Sequence, residues 1–301
     1  MTNSKTPSED ISLILNQQQT DELMERITEQ ITLDTFDVND HLLLRQMVEC
    51  LGDARGTVRL RFAETLGQIG TPATPFLVEA LAHHQNVVVR RAAAKTLTII
   101  ADITAVPDLI HALLNDEDTV VKGSSVGALA RMGETAVPRL LDILASPELP
   151  ESTKGHAAWA LAFIGAEAKH LLYEQINAES AEIRYAVVGA IAKVAQDDPD
   201  EERAFQVMVD ALGDSEEMVR CEAAAVLGNL SYKPAVPPLL QLLSHQGWET
   251  RKAAALALMK IGDVSVIEAL ENALAGEQET AVQTIFKLAI SQLARRSEED
   301  I

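Results

Sequence analysis

Aromatic side chains are scarce in this chain of 301 residues: Phe, Trp and Tyr together make up 4%, and there are only 2 Trp. Large rings supply much of the buried area in a thick core. Their scarcity, beside abundant alanine, points to thin layers of closely packed helices. Cysteine is nearly absent too. Cys50 and Cys221 lie far apart, which excludes a disulfide framework and a CxxC metal knuckle and agrees with a reducing compartment. No apolar run reaches the ~18 residues of a membrane-spanning helix. The polar opening "MTNSKTPSED" lacks the apolar core of a secretory signal, so the expected location is cytoplasmic. Positive charge is the last shortage, with 25 Lys and Arg against 45 Asp and Glu, a net charge of −20. An acidic surface disfavours nucleic acid, whose phosphates want a basic face, and anionic membranes. Solubility alone is a sufficient reason for the acid surplus.

Familiar chemistry is also missing. The sequence has no GxxxxGK[ST], no HExxH and no GxSxG, so it offers no phosphate-binding loop, zinc helix or nucleophile elbow. The adjacent His83 and His84 fall at a turn, where solvation is the expected state. Cys50 belongs to the apolar stretch "LLLRQMVECLG" and is expected in the core. No catalytic residue and no metal ligand is assigned.

What the sequence does contain is a repeat. "VVVRRAAAKTLTIIA" (87–101) aligns with "TVVKGSSVGALARMG" (119–133), and the same frame fits five further segments. The basic column is Arg59, Arg90, Lys122, Lys154, Arg184, Arg220 and Arg251, with gaps by subtraction of 31, 32, 32, 30, 36 and 31 residues. Seven residues after each stands Leu66, Leu97, Leu129, Leu161, Ile191, Leu227 or Leu258. Ten after it stands Ile69, Ile100, Met132, Ile164, Val194, Leu230 or Ile261. At 100° per residue these offsets share one side, so each copy holds an amphipathic helix. A second helix lies between copies: "AVPDLIHALL", "AVPRLLDIL" and "AVPPLLQLL" put Pro107, Pro138 and Pro237 at its entry, where the missing N–H costs nothing. Asp53, Asp116 and Asp214, each six residues before its Arg or Lys, serve the turn inside the unit. The basic column is expected to pair with such turn carboxylates. Arg91 and Lys252 are expected to be exposed.

The unit is thus a helix–turn–helix of about 30 residues without strand signals, and the expected fold is an all-α solenoid of about seven stacked units plus end caps. The longest step, Arg184 to Arg220, contains an acidic insertion, "DDPDEERA". The last unit, "ETAVQTIFKLAISQL", places Ala281 in the basic column. Residues 1–38 are expected to form an N-terminal extension, disordered over residues 1–9, with a capping helix in "LILNQQQTDELMERITEQI". Residues 39–301 form the repeat array.

"VRxAAAxALGxIG…AVPxLLxLL" resembles HEAT repeats, specifically the short HEAT-like class of phycobilisome lyases, over roughly residues 40 to 295. "HAAWALAFIG" is similar to helices of those lyases. The resemblance implies that the second helices line a concave surface. The offsets facing that groove are +1 and +5, flanked by +2 and +9. Along the middle units they hold Gly123 and Gly127, Gly155 and Trp159, Tyr185 and Gly189, then Cys221. Trp159 turns away from its helix's core side. Glycine in a helix costs about 0.5–1 kcal/mol relative to alanine. Either something approaches this face closely or the glycines let neighbouring helices pack.

Trp159, Tyr185, His156, Glu222, Cys221, Gly155 and Gly189 are therefore the candidate partner-binding residues. The resemblance implies an accessory factor that holds a phycobiliprotein or its bilin, with the bilin only transiently bound and no resident cofactor, and with a second HEAT-repeat subunit as a further expected partner. Whether it is an enzyme stays open. Any lyase-type catalysis would be positioning, since no nucleophile of its own is evident. A different class of function also stays open: a non-catalytic scaffold for an A-type iron–sulfur carrier, with Cys221 on the groove, or a generic protein-interaction module. Among HEAT-like enzymes, deoxyhypusine hydroxylases carry repeated His-Glu dipeptides for iron. None of the seven histidines here is followed by Glu, so that chemistry is not expected.

Overall fold

The computed structural model describes residues 15–299, with side chains described through Arg296. The disorder expected for residues 1–9 lies outside them. The described residues are helices joined by short turns, and the chain divides between Ala136 and Val137 into two compact units.

The first unit opens with α1 (Gln17–Thr32). Three helix pairs follow: α2 (His41–Glu49) with α3 (Gly56–Ile69), α4 (Thr74–His83) with α5 (Val87–Ile100), and α6 (Val106–Asn115) with α7 (Thr119–Arg131). The second unit has five pairs: α8 (Val137–Ala145) with α9 (Glu151–Ile164), α10 (Lys169–Glu174) with α11 (Ala181–Asp197), α12 (Glu202–Asp210) with α13 (Glu217–Asn229), α14 (Val236–Leu242) with α15 (Trp248–Ile261), and α16 (Ile267–Gly276) with α17 (Thr280–Glu299). Within each unit the second helix of a pair packs on the second helix of the next, as repeat stacking requires.

The periodic side of each second helix is the core. Leu66, Leu97, Leu129, Leu161, Ile191, Leu227 and Leu258 are all 0% exposed. Full burial of a leucine contributes about 1.5–3 kcal/mol, and between two thin helical layers one such residue per repeat anchors the stack. The first helices begin as their prolines imply, with Pro107, Pro138 and Pro237 each the second residue of its helix. A short 3₁₀ turn precedes each pair's first helix from α4 onward except at α12, and Asp102 and Asp263 cap two of these turns by accepting from Thr104 N and Ser265 N.

The basic column occupies the fourth residue of every second helix from α3 to α15, and its partners explain the spacing. Arg90 donates through Nη1 to the carbonyls of His84 and Gln85 at 3.1 and 3.5 Å, closing the turn that precedes it. Its Nε and Nη2 reach forward to Asp116, in the turn of the next pair, at 2.9 and 3.2 Å. Arg184 repeats this with Ala178, Glu179 and Asp214, and Arg251 with His245, Gln246 and Glu277. The Asp itself accepts from the backbone N–H two residues on, Asp118 N for Asp116 and Glu216 N for Asp214, both at 2.8 Å. One side chain thus ties a turn, the following helix and the preceding repeat. At two turns the Asp position holds His84 or His245, whose Nδ1 makes the same backbone bond. No carboxylate then stands there for the preceding arginine, and Arg220 donates to Thr250 Oγ1 at 3.3 Å instead.

Three expectations need correction. The residue in the column position of the last repeat is Gln283, not Ala281: it is the fourth residue of α17, and its Nε2 donates to Glu277 O at 2.7 Å. With that register Val282, Phe286 and Leu293 fall on the core side, all 0% exposed. A neutral amide in place of the cation hid the repeat, because the sequence frame was set by charge. Arg91 is not a free surface cation. It pairs with Asp118, the N-cap of α7, through a 2.9 Å bond from Nε. His84 is likewise not simply solvated, since its Nε2 lies 3.2 Å from Glu49 Oε2.

At the N-terminus α1 begins at a capping box made by Asn16 and Gln19 and buries Leu23, Met24 and Ile27. Arg55 joins it to the first pair, bonding Asp21 of α1 and Asp53 of the turn together. The preceding arginine that an interior turn would receive is replaced by a local one.

Candidate functional site

The exposed side of α9 carries Gly155, Trp159 and Phe163, spaced four residues apart and so aligned along one face. Trp159 is 53% and Phe163 54% exposed. Their rings stack with centroids 5.7 Å apart and planes 29° from parallel. Exposing two large rings side by side forgoes burial worth several kcal/mol. The alanines on either side, Ala157 and Ala160, are buried against neighbouring helices, which answers why a tryptophan can sit in so small-residued a helix: it takes no part in that packing. His156 lies half-buried beside this face.

Helix packing does not explain the glycines here. A Cβ built on Gly155 meets nothing within 4 Å, and the same holds for Gly123 and Gly127 in the first unit. Glycines that do serve packing sit elsewhere. A Cβ on Gly228 would lie 2.8 Å from Ala257 Cα, and one on Gly67 would lie 2.6 Å from Ile99. Gly189 is different again, since its Cβ would come within 3.2 Å of Glu222 Oε1.

Glu222 of α13 therefore rests over the bare backbone of α11. Tyr185 stands one turn before Gly189 on the same helix, close enough to the Glu222 carboxylate for its charge to act on the phenol. The negative charge of Glu222, with burial, pushes the Tyr185 phenol up, and burial pushes the Glu222 carboxyl above its ordinary range. Tyr185, Gly189 and Glu222 form one cluster. Trp159 has its ring partner in its own helix.

Cys221 lies beside Glu222 in sequence on α13. Burial raises its thiol's pKa, with Glu217 and Glu249 adding to the effect. Both effects work against the thiolate that nucleophiles and metal ligands require. Among the described residues no group of three or more His, Cys, Asp or Glu side chains is placed to hold a metal ion. No described helix is long and apolar enough to cross a membrane.

The HEAT-repeat family model matches residues 44–130 and 205–291. The chain is 37% identical over 298 residues to the bilin biosynthesis protein MpeU of Synechococcus sp. (strain WH8020), covering 98% of this chain and 100% of that one. The chain belongs to this HEAT-repeat family of phycobilin lyase-like proteins. A shorter match, 33% identity over 96 residues, joins 31% of the chain to 30% of deoxyhypusine hydroxylase from Candida glabrata. Among solved structures, the karyopherin Kap121p shares the fold with a TM-score of 0.60 at 14% identity, over 96% of this chain and 38% of that one.

For a member of the phycobilin lyase-like family, two residues of this face were not singled out in the sequence. Phe163 stands at offset +9, a flanking position whose side chain matters here because it doubles the aromatic surface of Trp159. Trp248, the first residue of α15, is 39% exposed with the Lys252 ammonium 4.8 Å over its ring. It precedes the frame set by Arg251, so the repeat pattern passed over it. Lys252 is thereby engaged as well.

Proposed function

We propose that this protein is a phycobilin lyase-like accessory factor that holds an open-chain tetrapyrrole, or the phycobiliprotein carrying it, on the exposed face of the second helices around Trp159. The observation that carries this reading is the full-length match to a bilin biosynthesis protein. The local chemistry supports it. A conjugated, planar ligand is suited to stacking on exposed rings, and Trp159 with Phe163 offers such a pair. The protein's contribution would be orientation of chromophore and client, which can supply a large part of a barrier without a nucleophile of its own. A phycobiliprotein subunit and a second HEAT-repeat chain are the proposed partners, and the cytoplasm is the proposed setting.

The iron–sulfur scaffold is the weaker reading, because burial and flanking carboxylates disfavour the Cys221 thiolate that metal binding needs, and among the described residues no group of three or more His, Cys, Asp or Glu side chains is placed to hold a metal. The test is co-expression with a phycobiliprotein subunit and a bilin source, reading covalent bilin fluorescence on the client. We expect attachment to depend on this protein and to fall in Trp159→Ala. Equal attachment with and without the protein, together with no complex on size-exclusion chromatography, would remove the reading.

A further inference from the structure

The stacked rings of Trp159 and Phe163 attract a planar ligand but do not orient it. Orientation comes from polar groups. Helix α9 and the helix packed on it, α11, carry three Lys and Arg between them: Lys154, Arg184 and Lys193. Two are engaged. The Lys154 side chain is 8% exposed, with Glu151 and Glu182 at 3.6 and 3.5 Å. Arg184 is occupied by Asp214 and two turn carbonyls. Lys193 remains, its side chain 40% exposed and its ammonium 2.6 Å from Asp197 and 3.3 Å from Gln196 of its own helix. An exposed pair of that kind contributes little and exchanges readily for another partner.

The repeat places this cation at the edge of the ring pair. Lys193 stands nine residues after the column residue Arg184, as Phe163 stands nine after Lys154. Packed helices lie about 8–10 Å apart, so long side chains at one level bridge the gap. Lys260 of α15 and Asn229 of α13 share this offset, and Lys260 Nζ donates to Asn229 Oδ1 at 2.6 Å. Ile99, at the same offset in the first unit, leans back on Gly67 of the preceding second helix. Lys193 leans the same way. A Cβ on Gly165, the residue that ends α9 two positions beyond Phe163, would lie 3.0 Å from Lys193 Cγ and 3.4 Å from Lys193 Cβ. Gly165 has φ of +43°, which suits glycine, and the lysine stem lies across it. A cation there also favours the C-terminal end of α9, but its hydrogen bonds go to Asp197 and Gln196 and not to the last carbonyls of that helix.

We infer that Lys193 is the anion-recognising residue of this face and pairs with a propionate carboxylate of an open-chain tetrapyrrole stacked on Trp159 and Phe163. This rests on the proposed bilin-handling function and adds to it the residue that fixes which way round the chromophore lies. With a net charge of −20, the chain repels an anionic ligand over most of its surface, so an accessible cation beside exposed rings selects the place as well as the orientation. Asp197 holds the ammonium until the ligand carboxylate replaces it.

The experiment titrates the full-length protein with biliverdin and with biliverdin dimethyl ester, following the visible absorbance of the bound chromophore. The ester keeps the conjugated rings and lacks the two negative charges. The wild-type protein should bind the diacid ~10-fold more tightly than the ester, the scale of a hydrogen bond to a charged group. Lys193→Met should bring that ratio close to one, Lys193→Arg should keep it, and Asp197→Asn, which frees the ammonium, should raise it. Trp159→Ala should weaken both ligands together. A preference for the diacid that survives Lys193→Met would overturn the role of Lys193 and leave the bilin reading in place. Equal binding of diacid and ester by the wild-type protein would do the same. Failure of the wild-type protein to bind either ligand would overturn the inference and the bilin reading together.

Discussion

At the scale of single residues, similar side chains do opposite things depending on the face they occupy. Gly155 and Gly228 are both helical glycines, but the first faces open space and the second admits Ala257 at van der Waals distance. Gly155→Ala should therefore stabilise the protein by about 0.5–1 kcal/mol through helix propensity. Gly228→Ala should destabilise it by about 1–3 kcal/mol through overpacking. Urea unfolding of the two variants measures both, and shifts of the same sign would contradict this assignment of faces. Trp159→Ala belongs to the same scale. Because the ring is more than half exposed, its removal should leave the melting curve nearly unchanged and abolish much of the partner affinity, since a central aromatic anchor is often worth ~2 kcal/mol or more. A stability loss of the ~3–5 kcal/mol typical of buried tryptophan would show that the ring is part of the core.

At the scale of elements, the repeating device is the arginine at the fourth position of the second helix. At Arg90, Arg184 and Arg251 it satisfies turn carbonyls that would otherwise be unpaired and grips the next repeat. Arg90 and Asp116 have side chains only 12% and 8% exposed, so truncating Arg90 strands a shielded carboxylate. Arg90→Ala should cost about 2–3 kcal/mol. Arg139→Ala breaks an exposed pair with Asp142, 66% and 68% accessible, and should cost about 0–1 kcal/mol. Equal small losses, read from urea midpoints, would show the column to be ornamental. Arg91 no longer serves as an indifferent control, because its pairing with Asp118 ties α5 to the cap of α7.

At the scale of the whole molecule, the pairs across the turns make stability depend on acidity. Arg251 holds the Glu277 carboxyl down at about 2, and Arg184 holds Asp214 below the usual range. A carboxylate whose folded pKa is depressed contributes stability that is fully present above its unfolded pKa and is lost as pH falls through the folded value. For Glu277 the window runs from its ordinary 4.5 down to about 2. Melting temperature should fall through that window. Arg251→Ala should lower the plateau near neutrality and flatten the acid limb, and an unchanged slope would show that the pair is not the source. The net charge of −20 adds self-repulsion at neutral pH, which salt screens. Added salt should therefore raise stability slightly there without altering the acid limb's origin.

The all-helical stack was legible in the sequence because its cause is local and repeated. A core leucine or isoleucine seven residues after each basic position, a proline at several first helices and an Asp in several turns recur often enough to set the frame, and one helix's worth of periodicity fixes which way Trp159 points. The same frame failed where chemistry was kept but charge was lost, as at Gln283, and it could not see Phe163 or Trp248, whose importance depends on exposure. Which glycines clear space and which permit contact depends on neighbours some 30 residues away. So does the meeting of Tyr185, Gly189 and Glu222, since it joins side chains from two helices whose separation and rotation are set by the packed layer between them. Sequence determined the repeat and the facing of each residue. Only the packing of one repeat on the next decided which of those faces are covered by a neighbour and which stay open.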